Sequence, residues 1–241
     1  GSGVDYQRSR QVVVFYNGEY YGIHDMRERF NEHYVETNYG IDAGSVDIIK
    51  HLGHDISVSG GSSVGYEELL DFVAKNDFSG ANNANYTLVQ AMMDVGNFAD
   101  YMAAEIYIHN GDWPNNNVRA WRSPEQPWKF MIYDLDHGFD WSWVVSGFSP
   151  NSTNMFDWIK RGGGGDGSCA EAGCFANLFN KLIQNPDFKR LFVNRSAVML
   201  EKYFNSERLT ATIEAMVATI DPDEMARDLE RFDREKRGYG G

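Results

Sequence analysis

Two kinds of apolar spacing alternate along the chain. Near the start, Val12 to Tyr16 is β-branched and aromatic, and the same character resumes after Asn17-Gly18. Asn-Gly between two such runs is a strong hairpin signal, because both residues tolerate the positive φ of a type I′ turn. A β-hairpin is therefore predicted over "QVVVFYNGEYYGIH". The next block, "DMRERFNEHYV", is polar and helix-like, and the stretch that ends in "SVSGGSSVG" reads as loop. Tyr66, Leu69, Leu70 and Val73 then fall at helical spacing, as do Phe98, Tyr101, Met102 and Ile106. Asn97 is the expected N-cap of that second helix, which runs out at His109-Asn110-Gly111. The period switches back in "NVRAWR" and "WKFMIYD", two strand-like runs joined by "SPEQP". After a loop and a Gly run (Gly162 to Gly165), the last third is helical. Its apolar sets are Leu178/Leu182/Ile183, Phe188/Leu191/Phe192, Leu209/Ile213/Met216/Ile220 and Met225/Leu229/Phe232. Asp221-Pro222 is a good start for the final helix. No repeat of solenoid length is present. The expected class is α+β: a β-rich N-terminal part, a central hairpin and a helical C-terminal half.

Composition narrows the function classes. A net charge of −13 over 241 residues makes a poor general nucleic-acid binder, since phosphate repels it, and favours a basic protein partner. No apolar run approaches the ~18 residues of a membrane span. Gly1-Ser2-Gly3 reads as a cloning scar, and no secretory leader follows it. Cys169 and Cys174 are close enough in sequence to close a small disulfide loop, which suits an extracytoplasmic protein. Two free thiols are the alternative.

The chemistry concentrates in "HNGDWPNNNVRAWR". Asp112 and Asn117 are five apart, an interval that also occurs at Asp71/Asn76 and Asp77/Asn82. Context carries the distinction: helix, Asp-x-x-x-x-Asn, strand, turn, strand, then "DLD". With the turn centred between Glu125 and Gln126, Asn117 would face Asp134 across the hairpin, about 4.5–5.5 Å apart at Cα. Asp136 would share that face if the strand continued. An amide oxygen and carboxylates so placed suit Mg²⁺, which keeps room for phosphate oxygens, while Asp112 is free to orient a hydroxyl, as in a kinase. The bland counterpart is a turn built from Asp112 and Asn115 to Asn117, with solvated Asp134 and Asp136. His109 reads as a structural histidine.

The stretches "VVVFYNGEYYGIHDMRER", "NGDWPNNNVRAWR", "WKFMIYDLDHGF" and "ANLFNKLIQNPDFKRLFVNR" together resemble the CotH (spore-coat protein H) family of atypical protein kinases. The resemblance implies an atypical protein-kinase-like α+β fold, with a truncated small β lobe before a largely helical lobe. It implies one domain over 4–241, with an upstream small-lobe portion missing. The implied activity is transfer of the ATP γ-phosphate to Ser or Thr of a protein, with ATP and Mg²⁺ or Mn²⁺ as cofactors. Asp112 is then catalytic, Asn117, Asp134 and Asp136 hold the metal, and Glu28 contacts the nucleotide. The implied partner is a protein, basic and Ser-rich, with neither nucleic acid nor a membrane span involved, and the implied location is extracytoplasmic or cell-surface. His137 interrupts the Asp-Phe-Gly order of ordinary kinases. The available cations, Arg27, Arg29, Lys50 and Arg119, lie in no recognisable phosphate motif.

Two other classes stay open. One is a non-catalytic pseudokinase or surface binding module. The other is glycoside hydrolysis by Asp112 and Asp134, in a cleft lined by Trp113, Trp121, Trp141 and Trp143.

Overall fold

The computed structural model describes residues 3–139, 148–149, 152–163 and 173–238. In chain order the strands are β1 (Asp5–Tyr6), β2 (Ser9–Tyr16), β3 (Glu19–Arg27), β4 (Asp47–Leu52), β5 (Asp55–Gly60), β6 (Val118–Ser123) and β7 (Gln126–Ile132). The helices are α1 (Glu32–Tyr39), α2 (Val64–Lys75), α3 (Ala84–Met92), α4 (Val95–Ile108), α5 (Met155–Lys160), α6 (Phe175–Leu182), α7 (Pro186–Lys202), α8 (Ser206–Val217) and α9 (Pro222–Gly238). This is a mixed α+β chain with a small sheet and many helices. It divides into two compact units, Gly1–Tyr6 with Phe30–Leu200, and Gln7–Arg29 with Glu201–Gly241.

The larger unit is built on a five-stranded sheet in the order β1-β7-β6-β4-β5. β4 and β5 occupy the stretch whose Ser- and Gly-rich sequence reads as loop. β5 is an edge strand, so it needs no apolar run, and β4 supplies the burial through Ile48 and Ile49. Strand alternation sends Ile49, Ala120 and Phe130 to one face of the sheet and Ile48, Trp121 and Met131 to the other. On the first side Phe130 packs against Tyr101 of α4 (ring centroids 5.5 Å apart), Phe98 (5.2 Å) and Phe175 of α6 (5.4 Å). Each such contact contributes about 0.5–1.5 kcal/mol beyond its area burial. On the other side Trp121 and Met131 join Phe30, Tyr34, Val35, Val46 and Ile48 in a second core.

Tyr66, Leu69, Leu70 and Val73 are all buried in α2, as their spacing predicts. α4 corrects one expectation: its N-cap is Asp94, which accepts from Asn97 N at 2.9 Å. Asn97 lies one turn inside and is buried. Its Oδ1 accepts from Phe130 N (2.6 Å), and its Nδ2 donates to Phe130 O and Gly3 O (3.0 Å each). An Asn reads as a cap from sequence, yet here its amide joins α4 to β7.

In the smaller unit the predicted hairpin forms, with Asn17 and Gly18 both at positive φ (50° and 83°). The strand continues through "DMR" before the chain turns helical at Glu32. Helix α9 meets this hairpin through its polar side. Asp228 accepts from Ile23 N (2.9 Å) and from the Tyr20 hydroxyl (3.3 Å), while Arg227 lies over the Tyr20 ring at 4.1 Å. The helices α8 and α9 form where their apolar periodicity predicts them, but Ile213, Met216, Leu229 and Phe232 remain exposed. No helix among the described residues is long and apolar enough to cross a membrane. The Cys169–Cys174 pairing involves Cys169, which lies outside the described residues, as do Trp141 and Trp143.

Candidate active site

Helix α4 ends on His109, whose left-handed φ of 60° turns the chain into the Asn-rich loop. His109 Nε2 donates to Thr153 O at 2.9 Å and its ring lies against Phe148, a structural role as expected. Trp113 anchors the loop in the core: it is fully buried and its indole N–H donates to the Tyr101 hydroxyl at 2.9 Å. Trp121 is fully buried too, so neither residue is a cleft-lining aromatic of the kind a sugar site requires.

With Trp113 inside, Asp112 is half-buried at the loop's start. Its Oδ2 accepts two amide hydrogens, from Asn116 Nδ2 (2.8 Å) and Asn117 Nδ2 (2.9 Å). Its Oδ1 has no hydrogen-bond partner among the described residues. One oxygen is thus pinned and the other left available. The two other Asp-x-x-x-x-Asn intervals behave differently. Asp71 pairs with Lys75 on the α2 surface, and Asp77 takes Ser79 in a turn. Only the 112/117 interval closes on itself.

The geometry of the β6–β7 hairpin corrects the predicted pairing. Arg119 faces Met131, Ala120 faces Phe130 and Trp121 faces Lys129, a register one residue short of the expected one. The turn is Pro124-Glu125, closed by Ser123 Oγ accepting from Glu125 N at 3.3 Å, with a register shift between Trp121 and Ser123. Extending this ladder would set Asn117 opposite Tyr133, not Asp134. In fact neither residue is in a strand: Asn117 has φ 61° and Asp134 φ 56°. Strand alternation therefore cannot place Asp136 beside Asp134 either, since the chain turns through Leu135–Gly138.

The "DLDHGF" loop is tied to the end of α4 by other means. Gly111 N donates to His137 O (3.0 Å) and Phe139 N to Ile108 O (2.7 Å). Gly138 lies so close to Ile108 that an added Cβ would sit 2.4 Å from Ile108 Cγ2, so the close approach requires glycine. Asn110, at 0 % exposure, joins both loops: its Oδ1 accepts from Asp112 N (3.3 Å), and its Nδ2 donates to Glu105 Oε2 (3.1 Å) and toward Asp134 O (3.5 Å). The sequence marks Asn110 only as a position where the helix runs out, and gives Glu105 no role. A polar pair inside an apolar helix end leaves no periodic signature, and only its three-dimensional partners identify it.

Glu105 is fully buried, and burial raises its carboxyl to about pKa 8, with the Asn110 hydrogen bond opposing that shift. Its Oε1 is buried without a partner. Glu105 is therefore neutral at pH 7. Because its folded pKa lies above its unfolded value near 4.5, the folded state holds the proton more tightly. The associated stability is complete below about pH 4.5 and is lost as pH rises toward 8. Between pH 5 and 8, chemical denaturation is expected to show wild type losing a few kcal/mol relative to Glu105→Gln, at ~1.4 kcal/mol per pKa unit. Parallel pH profiles for the two proteins would contradict a neutral Glu105.

The oxygen donors here are hard ones. With both Nδ2 groups on Asp112, Asn116 and Asn117 present amide oxygens, and Oδ1 of Asn115 and of Asn116 are buried without partners. Asp134 and Asp136 are exposed carboxylates in the adjoining loop. Oxygen donors of this kind are the type that Mg²⁺ or Mn²⁺ takes, completing its shell with water and phosphate. Among the described residues no group of three or more His, Cys, Asp or Glu comes together. Glu28 belongs to the smaller unit. Its Oε2 accepts from Arg8 N at 2.9 Å and lies 3.4 Å from Arg8 Nε.

A protein-family model described as CotH kinase protein matches residues 1–237 of the chain. No curated protein matches it.

Proposed function

Because the chain belongs to the CotH kinase family, we propose that it is a metal-dependent protein kinase transferring the γ-phosphate of ATP to a Ser or Thr hydroxyl. The observation that carries this reading is the half-held Asp112 carboxylate, with Oδ2 fixed by two amides and Oδ1 open. A divalent ion, when bound, neutralises charge on the phosphate oxygens. Asn117, Asp134 and Asp136 are its proposed ligands. Asp112 Oδ1 orients the acceptor hydroxyl and takes its proton as the oxygen–phosphorus bond forms, while the bond to the bridging β–γ oxygen breaks and ADP departs. Asn110 keeps the backbones of Asp112 and Asp134 in fixed relation through its buried amide.

The excess of acidic residues favours a basic acceptor protein, and a Ser-rich one belongs to the same proposal because the transferred group goes to a hydroxyl. An extracytoplasmic or cell-surface location belongs to the same proposal and rests on the family resemblance. The test is transfer of labelled γ-phosphate from ATP, with Mg²⁺ and then Mn²⁺, to a panel of Ser-rich basic proteins. Metal-dependent label on Ser or Thr supports the kinase reading. Nucleotide binding without transfer to any acceptor, or to the protein itself, would leave the pseudokinase alternative in its place.

A further inference from the structure

The β4–β6 ladder sets Lys50 directly opposite Arg119. Like charges facing each other across two strands are destabilising, and the chain has 35 acidic residues against 22 basic ones from which to relieve them. Elsewhere it does so. In the same ladder Asp47 faces Arg122 and the two form an ion pair at 2.8 Å, Lys129 has Asp94 at 3.4 Å, and Arg195 has Asp100 at 2.7 Å. Among the described residues neither Lys50 nor Arg119 has a carboxylate partner. The Arg119 guanidinium instead lies over the Tyr133 ring, 4.1 Å from its centroid, and its Nε is buried without a hydrogen-bond partner. A buried donor of a charged group left unpaired is costly.

The pair also lies beside the loops already described. Arg119 lies two residues after Asn117, and Tyr133 immediately precedes Asp134. Just past β4, Gly53 N donates to Asn115 O at 2.6 Å, fastening the β4–β5 turn to the Asp112 loop. Lys50 and Arg119 share the sheet face of Ile48, Trp121 and Met131, not the face packed on α4.

We propose that Lys50 and Arg119 form an oligophosphate-binding site, gripping the phosphate chain of the nucleotide next to the metal-binding loop. In this role Arg119 supplies a planar fork held flat by Tyr133, and Lys50 a mobile point charge. The assignment rests on the kinase reading for the identity of the nucleotide. The phosphate chemistry itself is read from the ladder.

The probe is inorganic tripolyphosphate, titrated calorimetrically at low salt into wild type, Lys50→Met, Arg119→Met and Arg119→Lys, with Mg-ATP in a parallel series. Each Met variant is expected to weaken tripolyphosphate binding about 10- to 100-fold, the range of a lost charged hydrogen bond, and Arg119→Lys to recover part of it. Lys50→Met is expected to melt no lower than wild type, because it removes a repulsion; this separates a ligand site from a structural one. Tripolyphosphate that fails to bind wild type, or binds all four proteins alike, overturns the proposal. If tripolyphosphate binding depends on the pair but Mg-ATP does not bind, the phosphate site stands and the nucleotide reading falls.

Discussion

Asp112→Asn is expected to lower the rate of phosphoryl transfer by ~10²–10⁴-fold, the usual contribution of a positioned base, while leaving nucleotide affinity nearly unchanged. The loop geometry dictates how the new side chain sits. Asn116 and Asn117 both present Nδ2 donors to the position of Oδ2, so the carbonyl oxygen of the introduced amide is drawn there. Its NH₂ group then occupies the place of Oδ1, where a proton acceptor becomes a donor. The fold has little reason to change, since both amide hydrogen bonds survive in weaker, neutral form. Steady-state transfer under saturating Mg-ATP, with a binding isotherm for the same nucleotide, checks both halves. Transfer at the wild-type rate would reduce Asp112 to a fastener of its loop. A fall in binding as large as the fall in rate would mean that Asp112 acts on the ground state, as a metal or nucleotide ligand.

The parts of this site that were legible in the sequence are those made by local rules. The helix ending at His109, the two strands around "SPEQP" and the Asn17-Gly18 turn each follow from spacing or from a residue's own conformational range. The register was not legible to the last residue, because it is set by where the Pro124-Glu125 turn closes on Ser123, and a shift of one moves every partner. β4 and β5 were hidden for a different reason. β5 lies at the sheet edge with a polar sequence, and β4 carries Lys50 and His51 among its apolar residues. Asn97, Glu105 and Asn110 share a third reason. Each is a polar residue whose burial is decided by three-dimensional packing: Asn97 meets Phe130, Asn110 reaches Asp134, and Glu105 is enclosed in the core with Asn110 as its partner. In α8 and α9 the apolar stripes located the helices correctly, yet α9 contacts its hairpin through Asp228 and Arg227. Periodicity locates a helix, but the side that docks depends on its partner's chemistry.

Removing the charge at residue 134 is expected to abolish the metal-dependent part of nucleotide binding. Asp134→Asn is the informative variant because the backbone there has φ 56°. Asn tolerates that conformation, whereas Ala would add a strain of about 1–2 kcal/mol unrelated to the metal. Its backbone carbonyl, which faces Asn110 Nδ2, is untouched. A ligand present at 100 times its Kd stabilises the folded protein by about 2.7 kcal/mol. If the Asp134 carboxylate is a principal metal ligand and its loss weakens Mg-ATP about 100-fold, the same concentration yields only about 0.4 kcal/mol, a melting shift near the limit of measurement. Asp136→Asn should fall between the two, because Asp134 then remains to hold the ion. The comparison is made in Mg²⁺, in Mn²⁺ and in chelator, since a loss seen equally without metal would point to direct nucleotide contact. A full Mg-ATP shift in Asp134→Asn would remove this residue from the metal site and leave Asn117 to be tested alone.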